Sequence, residues 1–328
     1  LKRNSILLLL AFLISGCSGA QSVLDANGHA AIVLKELILA MVLVCSAVWF
    51  LVMIALVSAL ARRRDQATGA ISERKATVAV SGAVGATVLV VSGLTIASFY
   101  TTRALSEAED PELTIVVRAQ QWWWQFTYVD PRSTQTFVTA NELHIPIGKD
   151  VRLRLESSDV IHSFWVPSLA GKQDLIPGRE NILTLRAERP GVYRGQCAEF
   201  CGLQHSHMAL FVIAEGEADH ERWAEGQRGT SVEPSEAEAV AGKAVFMARQ
   251  CAACHTIRGT GASGTTGPDL THIGSRRTIA AGLLENTRGS LAAWIADPQT
   301  LKPGNNMPLV PLTSDELRQL AAYMEVLK

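Results

Sequence analysis

The chain changes its hydrophobic rhythm several times. Behind Lys2-Arg3, residues 6–14 form a short apolar run. The run is too short to cross a bilayer and ends in small residues, which reads as a secretory signal. Two longer apolar stretches follow, about 31–61 and 77–100. Each is long enough for a tilted transmembrane helix, since a hydrocarbon core needs ~20 apolar residues. Arg62, Arg63 and Arg64 stop the first stretch, and the second is rich in Gly, Ala and Val. Small residues let helices approach closely in lipid, so this transmembrane hairpin is expected to pack on another membrane protein.

From about Glu112 to Ala214 the pattern becomes short alternating runs between turn residues. Residues 113–117, 151–155, 182–186 and 210–213 read as strands, and 147–150 and 189–191 as turns. Several short strands without intervening helices predict a Greek-key β-sandwich. Residues 216–236 are small, polar and acidic and read as a linker with room for one short helix. Near the end of the chain an amphipathic run through Met324 reads as a helix, which opens on the capping box Thr313-Ser-Asp-Glu316.

Charge and cysteine usage sharpen this division. The net charge is −1, so nothing points to nucleic acid. The loop between the spans carries Arg62, Arg63, Arg64, Arg74 and Lys75 against Asp65 and Glu73. The positive-inside rule places that loop in the cytoplasm and everything after Tyr100 outside, which agrees with the signal. The six cysteines fall into four separate settings: Cys17, Cys45, the pair Cys197/Cys201 and the pair Cys251/Cys254. That is not a disulfide framework.

The densest chemistry lies in Cys197-Ala-Glu-Phe-Cys201-Gly-Leu-Gln-His205-Ser-His-Met208. Thiolate, imidazole and thioether form the donor set that suits copper. A mononuclear blue-copper site needs one Cys, and this loop has two, which makes sense if two coppers share bridging sulfurs. A second His is then required, and His162 in Ser158-Asp-Val-Ile-His-Ser-Phe-Trp is the candidate. Downstream, Cys251-Ala-Ala-Cys254-His255 is the c-type haem attachment motif. A zinc site would want a second ligand pair, and none is present. The sixth haem ligand should be a Met, to raise the potential into the electron-carrier range. Met247 is too near the motif and Met324 lies in the amphipathic helix. Met307, in the polar loop Gly304-Asn-Asn-Met-Pro, is the candidate, with His272 as the alternative.

The copper loop, with 157–167, Asp174-Leu-Ile-Pro-Gly-Arg179 and Gln121-Trp122-Trp123-Trp124, resembles subunit II of cytochrome c oxidase. With the haem motif, the resemblance is to the caa type, in which a cytochrome c is fused to the subunit. It implies a multi-domain chain of a two-helix transmembrane hairpin, an all-β cupredoxin-like sandwich and an all-α class I cytochrome c domain. The expected divisions are a cleaved signal (1–16), an anchor (17–104), a copper domain (105–215), a linker (216–236) and a haem domain (237–328). The implied ligands of the binuclear copper centre, CuA, are His162, Cys197, Cys201, His205, Met208 and the carbonyl of Glu199. The Glu199 carboxylate would reach a magnesium shared with subunit I. Trp122 would be the surface port for electrons, whereas Trp124 is expected in the core. Cys251 and Cys254 would bind haem c covalently, with His255 and Met307 on the iron. The ending Ile14-Ser-Gly-Cys17 resembles a bacterial lipobox, which implies lipidation of Cys17.

Two departures stand out. Trp123 replaces the family's more usual Tyr. The family's Glu-Trp-Pro signature at the second span is missing, so Glu73 is given no proton-channel role. The implied function is a relay in the bacterial inner membrane, with both outer domains on the periplasmic face. Electrons would pass from cytochrome c or another respiratory donor through haem c and CuA to haem a of subunit I, where oxygen is reduced with proton pumping. Subunit III is a further expected partner. A CuA subunit of a nitric oxide reductase and a membrane-anchored electron carrier are the rival readings.

Overall fold

The computed structural model describes residues 19–63, 72–106, 111, 113–130 and 135–328. The signal-like run and Cys17 lie outside the described residues, as does the loop from Arg64 to Ile71.

Two long helices, α1 (His29–Arg63) and α2 (Glu73–Ser106), carry the apolar stretches. At 1.5 Å per residue each is about 50 Å long, more than a hydrocarbon core needs. Both are apolar enough to cross a membrane, and their apolar side chains, Leu43, Leu51 and Leu89 among them, are exposed. The α2 hydroxyls of Thr77, Thr87 and Thr95 donate to the carbonyls four residues back, so they need no outside partner. Gly82, Gly85 and Gly93 open onto empty space.

The remainder of the described chain forms a separate compact unit. Ten strands build two five-stranded sheets. They are β1 (Leu113–Gln120), β2 (Trp123–Val129), β3 (Phe137–Ala140), β4 (Glu142–Pro146), β5 (Val151–Ser157), β6 (His162–Trp165), β7 (Gln173–Leu175), β8 (Asn181–Leu185), β9 (Gly191–Cys197) and β10 (Ala209–Glu215). One sheet runs β3-β2-β1-β5-β8 and the other β4-β10-β9-β6-β7. The pairs β1–β5 and β4–β10 are parallel and the others antiparallel. Alternate residues such as Val151, Leu153 and Leu155 turn inward because successive side chains leave opposite faces of a strand. Trp124, Phe126 and Phe164 fill the space between the sheets. The segment ahead of α1 is stitched to this sandwich: Asn27 and Gly28 both donate to the Ser168 carbonyl, at 2.7 and 3.0 Å.

The first half of the polar stretch after β10 is a packed helix, α3 (Glu217–Arg228). Its Trp223 stacks on His144 at 3.9 Å and meets Tyr128 and Phe137 edge-on. His144 is held from its other side by Glu215 at 2.8 Å. Only residues 229–236 run on without regular structure.

The C-terminal module is built on α4 (Ala237–Ala248) and α7 (Ser314–Val326), with α5 (Arg288–Ala296), the single turn α6 (Pro298–Leu301) and two small two-stranded ribbons. The α4–α7 crossing depends on Gly242, where a β-carbon would lie 2.0 Å from the Gln319 carbonyl oxygen. Phe246 meets Tyr323 edge-on across that crossing. Glu238 on α4 binds Arg288 of α5 and Arg318 of α7. Thr313 and Glu316 close a reciprocal capping box on α7, and Met324 is buried in the core, both as the pattern predicts.

Candidate metal centre and haem site

The copper-type donors come from two loops at one end of the sandwich. β9 delivers Cys197 at its last residue, and a single 3-10 turn (His205–His207) sets His205 ahead of Met208. β6 delivers His162 at its first residue. Ser163 accepts from the Ala198 N–H, and Met208 from the Cys197 N–H, so the two loops are laced together.

The donor atoms converge. Cys197 Sγ lies 3.8 Å from Cys201 Sγ, 3.8 Å from His162 Nδ1 and 3.2 Å from the Glu199 carbonyl oxygen. Cys201 Sγ lies 3.6 Å from His205 Nδ1 and 3.9 Å from Met208 Sδ. The expected donors thus gather around the two sulfurs, His162 and the Glu199 carbonyl at Cys197, His205 and Met208 at Cys201, with His162, Cys197 and Cys201 forming the tightest group. Both cysteines are buried free thiols. A disulfide would need its sulfurs at ~2.05 Å. Two soft thiols, two imidazole nitrogens and a thioether fit copper, and two thiols this close fit a pair of bridging ligands.

Electrostatics favour one thiolate in the pair, on Cys197. The contact with Cys201 holds the Cys197 thiol well below the usual thiol range, against the opposing effect of burial and with help from His162. The same contact and burial push Cys201 up. Burial disfavours the His162 imidazolium, but its hydrogen bonds to Cys197 and Asp159 outweigh that and raise its pKa. Asp159 Oδ1 sits 2.8 Å from His162 Nε2, which leaves Nδ1 facing the sulfurs. Carboxylates commonly orient ligating imidazoles in this way. Asp159 also accepts from the Gln121 and Val160 N–H groups, so the ring is braced through Asp159 to the backbone. His207 turns away and bonds Gln204 at 2.8 Å.

The Trp122 indole N–H donates to the Cys201 carbonyl at 2.9 Å. Trp122 is nevertheless only 6 % exposed, so the expected surface port is covered within this chain. Trp124 is fully buried and meets Phe164 and His162 edge-on. The Glu199 carboxylate is half exposed and lies 3.2 Å from Lys172 Nζ.

In the C-terminal module, Cys251, Cys254 and His255 lie on and just after one 3-10 turn. His255 Nδ1 is 2.8 Å from the Pro268 carbonyl, which leaves Nε2 as the free ring nitrogen. Burial lowers the His255 pKa, which favours the neutral ring that a ligand needs. Gly267 admits that ring, since a β-carbon there would lie 2.6 Å from His255 Cε1. Two free thiols beside a fixed imidazole fit a covalently attached haem. Met307 sits half buried in a wired loop: its N–H donates to Asn305 and its carbonyl accepts from Gln299. His272 instead lines a cavity shared with Glu142 and His144 of the sandwich.

Residues 131–215 match the family described as cytochrome c oxidase subunit II, periplasmic domain, and residues 239–328 match cytochrome c. A protein named cytochrome c oxidase subunit 2 from Alkalihalophilus pseudofirmus is 41 % identical over 223 residues. The chain belongs to the cytochrome c oxidase subunit II family. That alignment covers 68 % of this chain and 63 % of the relative. A Bacillus subtilis protein of the same name is 33 % identical over 68 % of this chain and 64 % of its own length. The matches therefore span somewhat less than two thirds of these relatives. Among solved structures, the periplasmic domain of subunit II of cytochrome oxidase (CoxB) of Bradyrhizobium japonicum is 28 % identical. It covers 37 % of this chain and 96 % of its own, with a TM-score of 0.34.

Beyond the motifs of the subunit II family, this chain carries a seam between its copper and haem modules that the sequence did not disclose. Lys302 is 2 % exposed, and its ammonium donates to the carbonyls of Trp122, His207 and Ala280. A single lysine in a loop reads as a solvated charge, so no local signal announces it. Glu142 is the second case: a buried carboxylate of β4 that accepts from the Arg277 and Thr278 N–H groups.

Proposed function

We propose that this chain is the electron-delivering subunit of a caa-type haem–copper terminal oxidase. A binuclear CuA centre would be held by His162, Cys197, Cys201, His205, Met208 and the Glu199 carbonyl. Haem c would be bonded to Cys251 and Cys254, with His255 and Met307 on its iron. Copper held by these residues would supply one-electron redox chemistry. The order inferred is external donor, haem c, CuA, then haem a of subunit I, where oxygen becomes water with proton pumping. The carrying observation is the pair of buried free thiols, 3.8 Å apart, with two imidazoles and a thioether around them.

The chain's own groups support this assignment in distinct ways. Asp159 orients the His162 ring, Pro268 orients the His255 ring, and the Asn305–Gln299 contacts hold the Met307 loop. The Glu199 carboxylate is exposed enough to reach a magnesium at a subunit I interface, exchanging its Lys172 contact for the ion. The two apolar helices would anchor the chain beside subunits I and III in a bacterial inner membrane, assisted by lipid on Cys17, with both metal modules on the periplasmic face.

Metal analysis of the purified membrane complex tests the reading. Two coppers and haem a should accompany each covalent haem c. One copper per haem c would overturn the binuclear site. Copper and haem c without haem a would turn the assignment toward the stand-alone carrier. Nitric oxide turnover in place of oxygen turnover would identify a reductase subunit.

A further inference from the structure

The loop that carries Met307 is fastened to the copper module at the rim of Trp122. Lys302 Nζ donates to the Trp122 carbonyl at 2.8 Å, the His207 carbonyl at 2.9 Å and the Ala280 carbonyl at 3.0 Å. A lysine ammonium has three protons to donate, and all three find carbonyls here. Two of those carbonyls belong to the copper module and one to the haem module. Next in the chain, the Pro303 carbonyl accepts from Gln204 of the copper loop. Then comes Gly304, where a β-carbon would lie 3.4 Å from Leu203 Cδ1 and 3.5 Å from Trp122 Cη2. Three consecutive residues on the haem side thus contact the copper loop or the indole above it, and Met307 follows three positions later.

The haem side of the seam is shaped for this contact. Ala280 and Ala281 both have positive φ, 54° and 59°, and Gly282 continues at 78°. A left-handed alanine is strained and persists only where its surroundings hold it. Here the unusual turn places the Ala280 carbonyl on Lys302 and the Ala281 carbonyl on the Ala209 N–H, the residue after Met208. Strained backbone therefore lies where one module grips the other.

Resting on the reading above, we propose that Lys302 is a positioning residue that latches the Met307 loop over Trp122. The latch reserves the copper port for the fused cytochrome and excludes an external donor protein from direct contact with Trp122. The geometry carries this: the indole bonded to Cys201 is covered by a loop of the same chain, and the fastening amine is almost fully buried. An external donor then delivers its electron to the haem module.

The test uses the assembled oxidase with Lys302→Met, which keeps the stem and removes the donors, and Lys302→Arg, which keeps a charged donor. Hydrogen exchange in segments 121–125 and 300–307 should rise in Lys302→Met. Transfer from haem c to copper should slow severalfold, because electron transfer falls off steeply as the two sites move apart. Copper content and the haem spectrum should not change. Soluble cytochrome c should gain a direct, haem-c-independent phase of copper reduction, and Lys302→Arg should recover part of the wild-type behaviour. Unchanged exchange and unchanged transfer in Lys302→Met would overturn the latch. If that variant does not assemble, Gln204→Ala, which removes the contact to Pro303 together with the Gln204–His207 hydrogen bond of the copper loop, should give the same changes on a smaller scale, and no change there would also overturn it. Loss of copper or haem from the wild-type complex would instead overturn the assignment on which the latch rests.

Discussion

The indole of Trp122 and the backbone of Cys201 are joined by a 2.9 Å hydrogen bond from Nε1 to the carbonyl oxygen. Cys201 is a proposed bridging ligand, so this bond links an aromatic ring to the copper loop without any intervening side chain. Trp122→Phe keeps a ring in the site and deletes the N–H. The Cys201 carbonyl would still accept from Gln121 Nε2, at 2.7 Å, so the loop stays anchored. The expected outcome is slower transfer from haem c to copper, with two coppers still bound. Flash-induced reduction of haem c, followed at the copper absorption, measures it. A loss of copper would place Trp122 in the structural frame of the loop rather than in the relay.

Asp159 is the brace behind His162, 2.8 Å from Nε2. Removal of such a partner typically costs 10–100-fold in metal affinity (~1.4–2.7 kcal/mol), because the ligand loses its fixed tautomer and some basicity. Asp159→Ala should therefore lower copper affinity by about 10–100-fold, while haem c is retained. Competition against a copper chelator gives the number. Unaltered affinity would mean that the sandwich alone orients the ring.

The sequence and the structure inform each other unevenly. The two spans, the alternating strands, the capping box at Thr313 and the convergence of Cys197, Cys201, His205 and Met208 were legible, because periodicity and ligand spacing are local properties. The helix over Glu217–Arg228 was half hidden. Its composition is polar, and its stability comes from Trp223 stacked on His144, about 80 residues away in the chain. The covering of Trp122 was not legible at all. It depends on Lys302 reaching three carbonyls in three separate segments, and no window of sequence contains that relation. Nothing in the sequence singles out Asp159, and it is the geometry that puts it on the ring of His162.

Met307 is the proposed sixth ligand of the haem iron, held by its N–H to Asn305 and its carbonyl to Gln299. Replacing the thioether with a second imidazole lowers a c-type haem potential. Met307→His should lower the potential of haem c and so make transfer from an external donor less favourable. Redox titration of the haem absorption checks this, with CuA as an internal reference that should not move. An unshifted haem potential would remove Met307 from the iron and bring His272 back as the ligand.

Gly242 sets the distance between α4 and α7. A β-carbon there would lie 2.0 Å from the Gln319 carbonyl oxygen and 2.8 Å from Tyr323 Cβ, so the two helices must part to admit it. Overpacking of this kind costs ~1–3 kcal/mol. Ala gains ~1 kcal/mol over Gly in helix propensity, which offsets only part of that cost. A clash at 2.0 Å with backbone puts the cost at the top of that range, so Gly242→Ala should destabilise the haem module by about 2 kcal/mol, or roughly 8–16 °C in its melting temperature. Gly226 in α3 supplies the contrast, because a β-carbon there meets nothing within 4 Å. Gly226→Ala should hold or raise stability through the same propensity term. Thermal melts followed at the haem absorption separate the two. Equal melting of the Gly242 variant and wild type would mean that the crossing yields more readily than backbone packed against backbone should.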